Sequence, residues 1–476
     1  MITTQPMINP ARALHRFPGW VCACLASAFA VFSPAAQAQP AVEWWSSSED
    51  LKHQLTPQPA LKFAPEQAAT QPSVRVETTT THPSILGLGS SFEHSTCYNL
   101  SLLPPDRRER AIESLVHPTK GIGMSLMRIC IGTPDFTASP WYTYDDLPPG
   151  QKDPELKHFS IAKDRAYVLP VLQAARRINP ELKFFASPWS PPAWMKTSGR
   201  IGGGRINPEH FRRFAEYLAR FIEAYREEGI EIHAITIQNE PEYAPDTYPT
   251  CRWTAKEQRD FIRDHLGPVF QAHRLSTLIW CFDHNFNNPG FAATILRDPA
   301  AARYVDGTAF HHYEGKPAAM RKLQEEFPAK HLYFTEGSTF GAEGAAQIIS
   351  FLRHGSRSYN AWVTMIDHRM QPNPGPHDCS PTCVVLQRDR LEIDYRFDYF
   401  MYGQFMKFVR PGARRLASTE SGKLPTHVAF RNPDGSLVLV AANPESRDRD
   451  LTVSWSGLGF SATLSPRSVS TFRWSP

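Results

Sequence analysis

The sequence predicts an α/β fold, a (β/α)8 TIM barrel with a small discontinuous β-sandwich built from both chain ends. Three observations lead there. From about residue 85, short apolar runs alternate with amphipathic stretches, the beat of parallel βα units, and eight such units can be counted. After Pro411-Gly412 the texture changes to strands separated by turns. Near the other end, the alternating run Val74-Arg75-Val76-Glu77-Thr78 stands apart from the βα pattern and is available to complete that terminal sheet.

Taken in order, residues 1–38 read as an export signal. Arg12 and Arg16 supply the positive end, residues 21–32 the apolar core, and Ala36-Gln37-Ala38 the small-residue cleavage site. An uncleaved anchor is the alternative, although the apolar run is short for a span of about 20 residues. No other stretch reads as a bilayer span, so no integral membrane segment is expected after cleavage, and the expected location is periplasmic or extracellular. Residues 39–82, with Trp44, Trp45 and scattered Ser, Gln and Pro, are assigned to the N-terminal part of the sandwich, residues 83–412 to the barrel and residues 413–476 to the rest of the sandwich.

The eight predicted barrel strands are 85–92, 124–131, 183–189, 234–239, 277–283, 307–313, 331–335 and 359–366. The clearest helix between them covers 208–228, where Phe211, Phe214, Leu218, Phe221, Ile222 and Tyr225 recur at helical spacing with Arg and Glu opposite. Further helices are predicted at 164–178, 254–273, 342–353 and 397–409, and Thr254 with Glu257 makes a capping box for one of them. In the tail, Asn432-Pro433-Asp434-Gly435 is an explicit hairpin turn between 428–430 and 437–440, and strands recur at 451–455 and 469–474.

With 51 basic against 47 acidic side chains in 476 residues the net charge is +4, without the basic excess of nucleic-acid binders, so no nucleic-acid partner is expected. Six cysteines follow the signal. Cys379 and Cys383 are close enough to staple one loop, whereas Cys130 and Cys281 sit in apolar runs and read as core thiols. No Cys/His spacing resembles a zinc site.

Two predicted strands end in a carboxylate. Ala234-Ile235-Thr236-Ile237-Gln238-Asn239-Glu240-Pro241 is a β-branched run stopped by a proline that cannot donate to a ladder, which leaves Glu240 at a C-terminal lip. His331-Leu332-Tyr333-Phe334-Thr335-Glu336-Gly337 repeats the pattern with Glu336. Either glutamate alone reads more readily as a solvated loop residue or a helix N-terminal charge. Together, on the fourth and seventh strands of a barrel whose catalytic groups come from strand ends, they are candidates for one site.

A carboxylate pair flanking a glycosidic bond is equipment for glycoside hydrolysis, with no metal or organic cofactor required. Glu240 sits beside the amide Asn239 and is expected to have its pKa raised by an ionised Glu336, which makes it the acid/base candidate and Glu336 the nucleophile candidate. Other strand ends carry Arg128, Asp135, Trp189, Asp283, His311 and Tyr313. Arg128 could equally be a structural ion pair, His311 a satisfied core histidine and Trp189 plain packing. Their shared position favours a pocket, with aromatic faces for sugar rings and Arg and Tyr groups holding Glu336 ionised.

Residues 87–91, the run Ala186-Ser187-Pro188-Trp189-Ser190-Pro191-Pro192-Ala193-Trp194-Met195-Lys196-Thr197, Gln238-Asn239-Glu240-Pro241, residues 254–268 and Thr335-Glu336-Gly337 together resemble glycoside hydrolase family 30, the glucosylceramidase-like enzymes. The resemblance extends from about residue 87 to the C-terminus. It implies a retaining β-glycosidase with Glu240 as acid/base, Glu336 as nucleophile, Asn239, Asp135 and Trp189 at the sugar, Tyr313 near the nucleophile and Arg128 supporting it. His311 and Asp283 join them as substrate-binding candidates from the strand ends. The implied substrate is a β-linked glycan or glycolipid, most simply a β-glucosyl bond as in glucosylceramidases, with a β-1,6-glucanase or other β-glycan hydrolase as the alternative. A catalytically silent glycan-binding protein on the same fold is a further reading. Two departures bear on the substrate: the eighth strand reads Ala361-Trp362-Val363-Thr364-Met365 where glucocerebrosidase-like members have Trp-Thr-Asp-Trp-Asn, so the glucose-site tryptophan is missing there, and Glu93-His94 stands where Thr-Asp is common.

Overall fold

The computed structural model describes residues 41–66, 73–378 and 382–476. The expected export signal and the expected Cys379–Cys383 pairing fall outside the described residues.

Six parallel strands lie side by side in chain order: Leu126–Ile131, Lys183–Pro188, Ile232–Thr236, Leu278–Asn285, Val305–His311 and His331–Glu336. The parallel pair Gly87–Gly89 and Ser358–Asn360 closes the ring. Ser125 N donates to Leu88 O at 2.8 Å on one side of that pair, and Arg357 N donates to Leu332 O at 2.9 Å on the other. The chain thus forms the predicted eight-stranded barrel.

Period-two alternation stacks the barrel interior in layers. The lower layer is apolar: Leu126, Phe185, Ala234, Trp280, Ala309 and Tyr333 pack together, and the rings of Trp280 and Tyr333 stack at 3.9 Å. Two residues further along five of these strands come Arg128, Ser187, Thr236, His311 and Thr335, all buried. The fifth barrel strand reaches the same layer by a bulge between Phe282 and His284, where Phe282 and Asp283 adopt φ of 74° and 67°. The extra residue is what aims Asp283 inward, among the hydroxyls of Ser187, Thr236 and Thr335. An apolar plug therefore carries a polar floor.

The helix Phe211–Glu227 buries Phe214, Leu218, Phe221 and Tyr225 on the face predicted from their spacing, after a single 3-10 turn at Pro208–His210. Thr254 and Glu257 form the predicted capping box. The helix predicted to run unbroken to 273 instead widens into a π turn at Ile262–Leu266 before Gly267–Ala272. Pro268 is the reason: it has no N–H to donate, and its ring crowds the carbonyl four residues back.

The predicted eighth strand is also divided. Ser358–Asn360 belongs to the barrel, while Met365–Asp367 pairs with Val384–Gln387 in a separate small sheet. Between them the Thr364 hydroxyl accepts from Ser91 N at 3.1 Å and donates to Ser91 O at 2.5 Å, replacing ladder bonds with side-chain bonds. The segment released this way carries Trp362 to the barrel mouth.

The sandwich combines both chain ends. Val74–Ser84 pairs antiparallel with Arg414–Ser418 and parallel with Arg449–Trp455. Ala41–Ser48 pairs with Ser468–Trp474, placing Trp44 opposite Phe472 with their rings stacked at 5.2 Å. Val42, Phe63, Val76, Leu439, Phe472 and Trp474 share its core. Leu458–Leu464 was not predicted, although Leu458, Phe460, Ala462 and Leu464 alternate with small or polar residues as a half-buried strand does. No helix among the described residues is long and apolar enough to cross a membrane.

Candidate active site

The polar floor is organised by Arg128. Its fully buried guanidinium donates to Glu336 Oε2, to Asn239 Oδ1 at 2.9 Å and to Asp283 Oδ2 at 2.9 Å. A planar guanidinium holds its donors in a fixed fork, so one group reaches acceptors from three strands in set directions, a geometry that the compact point charge of an ammonium lacks. Trp189 and Trp362, stacked on each other at 5.0 Å, lie 4.9 and 5.4 Å from the guanidinium carbon and shield it from water.

Asp283 accepts from Arg128, from the hydroxyls of Ser187, Thr236 and Thr335 at 3.0, 2.7 and 2.7 Å, and from His311 Nε2 at 3.0 Å. Burial pushes its carboxyl up, but Arg128, His311 and the Thr335 hydroxyl outweigh burial and hold it below the ordinary range. An ionised Asp283 can only accept, so the His311 nitrogen facing it carries the hydrogen.

Glu336 closes the seventh strand, 4% exposed, and also accepts from the Tyr313 hydroxyl at 2.8 Å. Glu240 stands just past the fourth strand. Asn239 N donates to Pro188 O at 2.8 Å and Glu240 N to Asp283 O at 3.0 Å, tying the lip to both neighbouring strands. That clamp holds Glu240 in the left-handed region at φ 50°, a conformation disfavoured for a residue with a Cβ.

The charge state of Glu240 differs from the expectation of a raised pKa. Burial does push the carboxyl up, but His284 and His311, whose Nδ1 atoms lie 3.6 and 3.5 Å from Oε1, outweigh it and bring it down to about 2. Burial pushes the His311 imidazole down, while Glu336 and Asp283 raise it to about 9. Two imidazoles beside Glu240 thus override the like-charge effect of Glu336, and the proton of the Glu240–His311 pair rests on His311. The raised carboxyl is Asp135, pushed well up by burial and then by the charges of Glu336 and Glu240.

A cavity of about 720 Å³ opens over this floor, lined by six of the residues predicted from sequence: Asp135, Trp189, Asn239, Glu240, Tyr313 and Glu336. Asp283 and His311, expected to bind substrate, do not line it. They are fully buried behind the wall, because the bulge and the Arg128 network draw both side chains into the floor. Sequence reasoning missed His284 and Trp362. His284 directly follows Asp283, and only the bulge lets both neighbours contribute to the site. Trp362 was legible as a strand residue, but its use as a wall depends on the strand break beside it.

A pair of glutamates at the C-terminal mouth of a (β/α)8 barrel, one gripped by an arginine and the other set among imidazoles, marks the chain as a glycosidase. The chain belongs to glycosyl hydrolase family 30. Residues 85–365 match the glycosyl hydrolase family 30 TIM-barrel domain, and residues 412–472 match the family's beta sandwich domain. The chain is 31% identical over 406 residues to an endo-1,6-beta-D-glucanase of Neurospora crassa, covering 79% of this chain and 83% of that protein. It is also 31% identical over 427 residues to the lysosomal acid glucosylceramidase of Mus musculus, covering 82% and 81%. Among solved structures it resembles an endo-beta1,6-glucanase with a TM-score of 0.82 at 28% identity, covering 91% of this chain and 99% of that one.

Proposed function

We propose that the chain is an exported, retaining β-glycosidase acting on β-1,6-linked glucan, with Glu336 as nucleophile and Glu240 as general acid/base. The observation that carries the substrate is the rim of the cavity: Glu242, Arg252, Asn287, Asn288, Glu314 and Asp378 line it. Such side chains suit the hydroxyls of a second sugar and offer no apolar bed to the hydrocarbon chains of a ceramide. The rings of Tyr243 and His377, 5.9 Å apart, add a stacking face on the same side. The glucanase relatives support the same choice, and the signal-like residues 1–38 support export.

The carboxylate spacing supports retention. His311 Nδ1 lies 3.5 Å from Glu240 Oε1 and 3.7 Å from Glu336 Oε1, so these oxygens are at most about 7 Å apart, a limit that admits the ~5–5.5 Å of retaining pairs and excludes most of the ~6.5–9.5 Å range of inverting ones. Glu336, oriented by Arg128 and Tyr313, attacks the anomeric carbon as the bond to the leaving oxygen breaks. Glu240 protonates that oxygen with the proton held by His311. Water then enters, Glu240 takes its proton, and the ester to Glu336 is cleaved.

Parallel incubations with β-1,6-glucan, β-glucosyl ceramide and an aryl β-glucoside test the substrate. Release of oligosaccharides or glucose from the glucan, well above any release from the glycolipid, is expected. Hydrolysis of the glycolipid with the glucan left intact overturns the assignment. Binding of glucan with no sugar released from any of the three favours a silent glycan-binding protein.

A further inference from the structure

We propose that Glu240, His284 and His311 form a binding site for a divalent transition-metal ion of the zinc type, and that the bound ion shuts off hydrolysis by occupying Glu240. The three side chains come from the lip after the fourth strand, from the fifth strand and from the sixth, so no sequence spacing announces them. One ligand atom from each lies within 4.8 Å of the other two. Both edges that meet at Glu240 Oε1 are shorter, 3.6 Å to His284 Nδ1 and 3.5 Å to His311 Nδ1. A tetrahedral zinc ion with bonds of about 2.0–2.2 Å spaces its ligands about 3.4 Å apart, so two edges of the triangle already have the required length.

Both Nδ1 atoms are buried and have no hydrogen-bond partner. Buried polar atoms are rarely left unpartnered, and two of them converging on one carboxylate oxygen point to a shared ligand. His311 is also supported as a metal-binding histidine is: Asp283 accepts from its Nε2 at 3.0 Å, which orients the ring and turns Nδ1 toward the site. Around the triangle, the carboxylates of Asp283 and Glu336 face a single guanidinium, Arg128, so the surroundings favour a dication. The incoming ion displaces the proton that His311 otherwise carries. With Glu240 ligated to metal, no group remains in its place to protonate the leaving oxygen.

The ion site stands on geometry; the inhibition rests on the acid/base role proposed for Glu240. Metal-free full-length protein titrated with cobalt(II) chloride and zinc chloride separates the two, with the visible absorption of protein-bound cobalt and equilibrium dialysis of zinc as readouts. His273, set between Glu216 and Glu223 on the outer helices, is a second histidine–carboxylate group, so His273→Gln serves as the control. Wild type and His273→Gln are expected to show intense low-symmetry cobalt bands. His284→Gln and the near-isosteric Glu240→Gln are expected to lose those bands and to bind zinc about tenfold more weakly or worse. In wild type, loss of aryl-glucoside hydrolysis should follow zinc occupancy. Unchanged zinc affinity in both His284→Gln and Glu240→Gln overturns the ion site. Full hydrolysis at saturating zinc, with the cobalt bands present, overturns the inhibition and the Glu240 role together while the ion site stands.

Discussion

Arg128 is the residue on which the site's charges turn. It is wholly buried, and its three acceptors, Glu336, Asn239 and Asp283, come from three different strand ends. Removing one partner from a buried ion pair leaves an uncompensated charge and costs about 3–5 kcal/mol. Arg128→Met should therefore lower unfolding stability by about that much and abolish hydrolysis, whereas Arg128→Lys, keeping the charge but not the fork, should recover part of the stability and little of the activity. Urea unfolding of the three proteins checks this; wild-type stability in Arg128→Met would mean that Asp283 is not held as a charge. Glu240 and Glu336 were legible in the sequence because each stands at the end of an apolar run, and Arg128 because it is a lone charge inside one. The lowered state of Glu240 was not, since it depends on two imidazoles that arrive from other strands.

At the scale of elements, the sequence carried the rhythm of strands and helices better than their irregularities. Alternation and helical spacing report which face is buried, and both survive in the barrel strands and in Phe211–Glu227. The bulge at Phe282 to His284, the π turn ahead of Pro268 and the break at Thr364 change direction without changing composition, so periodicity passes over them. Each one matters: the bulge alone puts Asp283 in the floor and His284 in the wall. A further element-level contact joins Phe211–Glu227 to the end of the π-interrupted helix, where His273 binds Glu223 through Nδ1 and Glu216 through Nε2, both at 2.9 Å. The Glu223 bond raises the His273 pKa above its ordinary value, partial burial opposes this, and Glu216 adds to the rise. A histidine whose pKa is raised by folding stabilises fully below its unfolded value near 6.5, and that contribution is lost as pH climbs through the folded value. The clamp is only partly buried and open to solvent screening, so it is worth about 1 kcal/mol or less. The stability difference between wild type and His273→Gln should be present at about pH 5 and shrink as pH climbs through the raised His273 value in urea titrations; a difference that grows with pH would contradict the clamp.

For the whole molecule, the barrel and the sandwich share buried polar bonds. Gln404, on the helix Phe397–Met406, donates from its side-chain amide to Ser47 Oγ at 2.8 Å, and its main-chain carbonyl accepts from Thr471 Oγ1 at 2.6 Å. Arg353 reaches from the helix Gly341–Arg353 to the carbonyls of His427 and Ser418 at 2.6 and 3.1 Å. Bonds of this kind leave buried groups unsatisfied if one part unfolds first, so calorimetry should show a single unfolding transition; two resolved transitions would mean that the parts are independent. The union of chain ends was readable from the lone alternating run at Val74. The strand Ala41–Ser48 was not, because Trp44-Trp45-Ser46-Ser47-Ser48 lacks clean alternation, and its place in the sheet comes from its long-range pairing with Ser468–Trp474.

The roles of the two glutamates are tested most directly by trapping. A fluorinated β-glucoside with an activated leaving group should form the glycosyl ester quickly and hydrolyse it slowly. Mass spectrometry of the digested protein is predicted to find one glycosyl group per chain, on the peptide carrying Glu336. An adduct on Glu240, or turnover of the parent glucoside to the inverted anomer with no adduct at all, would contradict it.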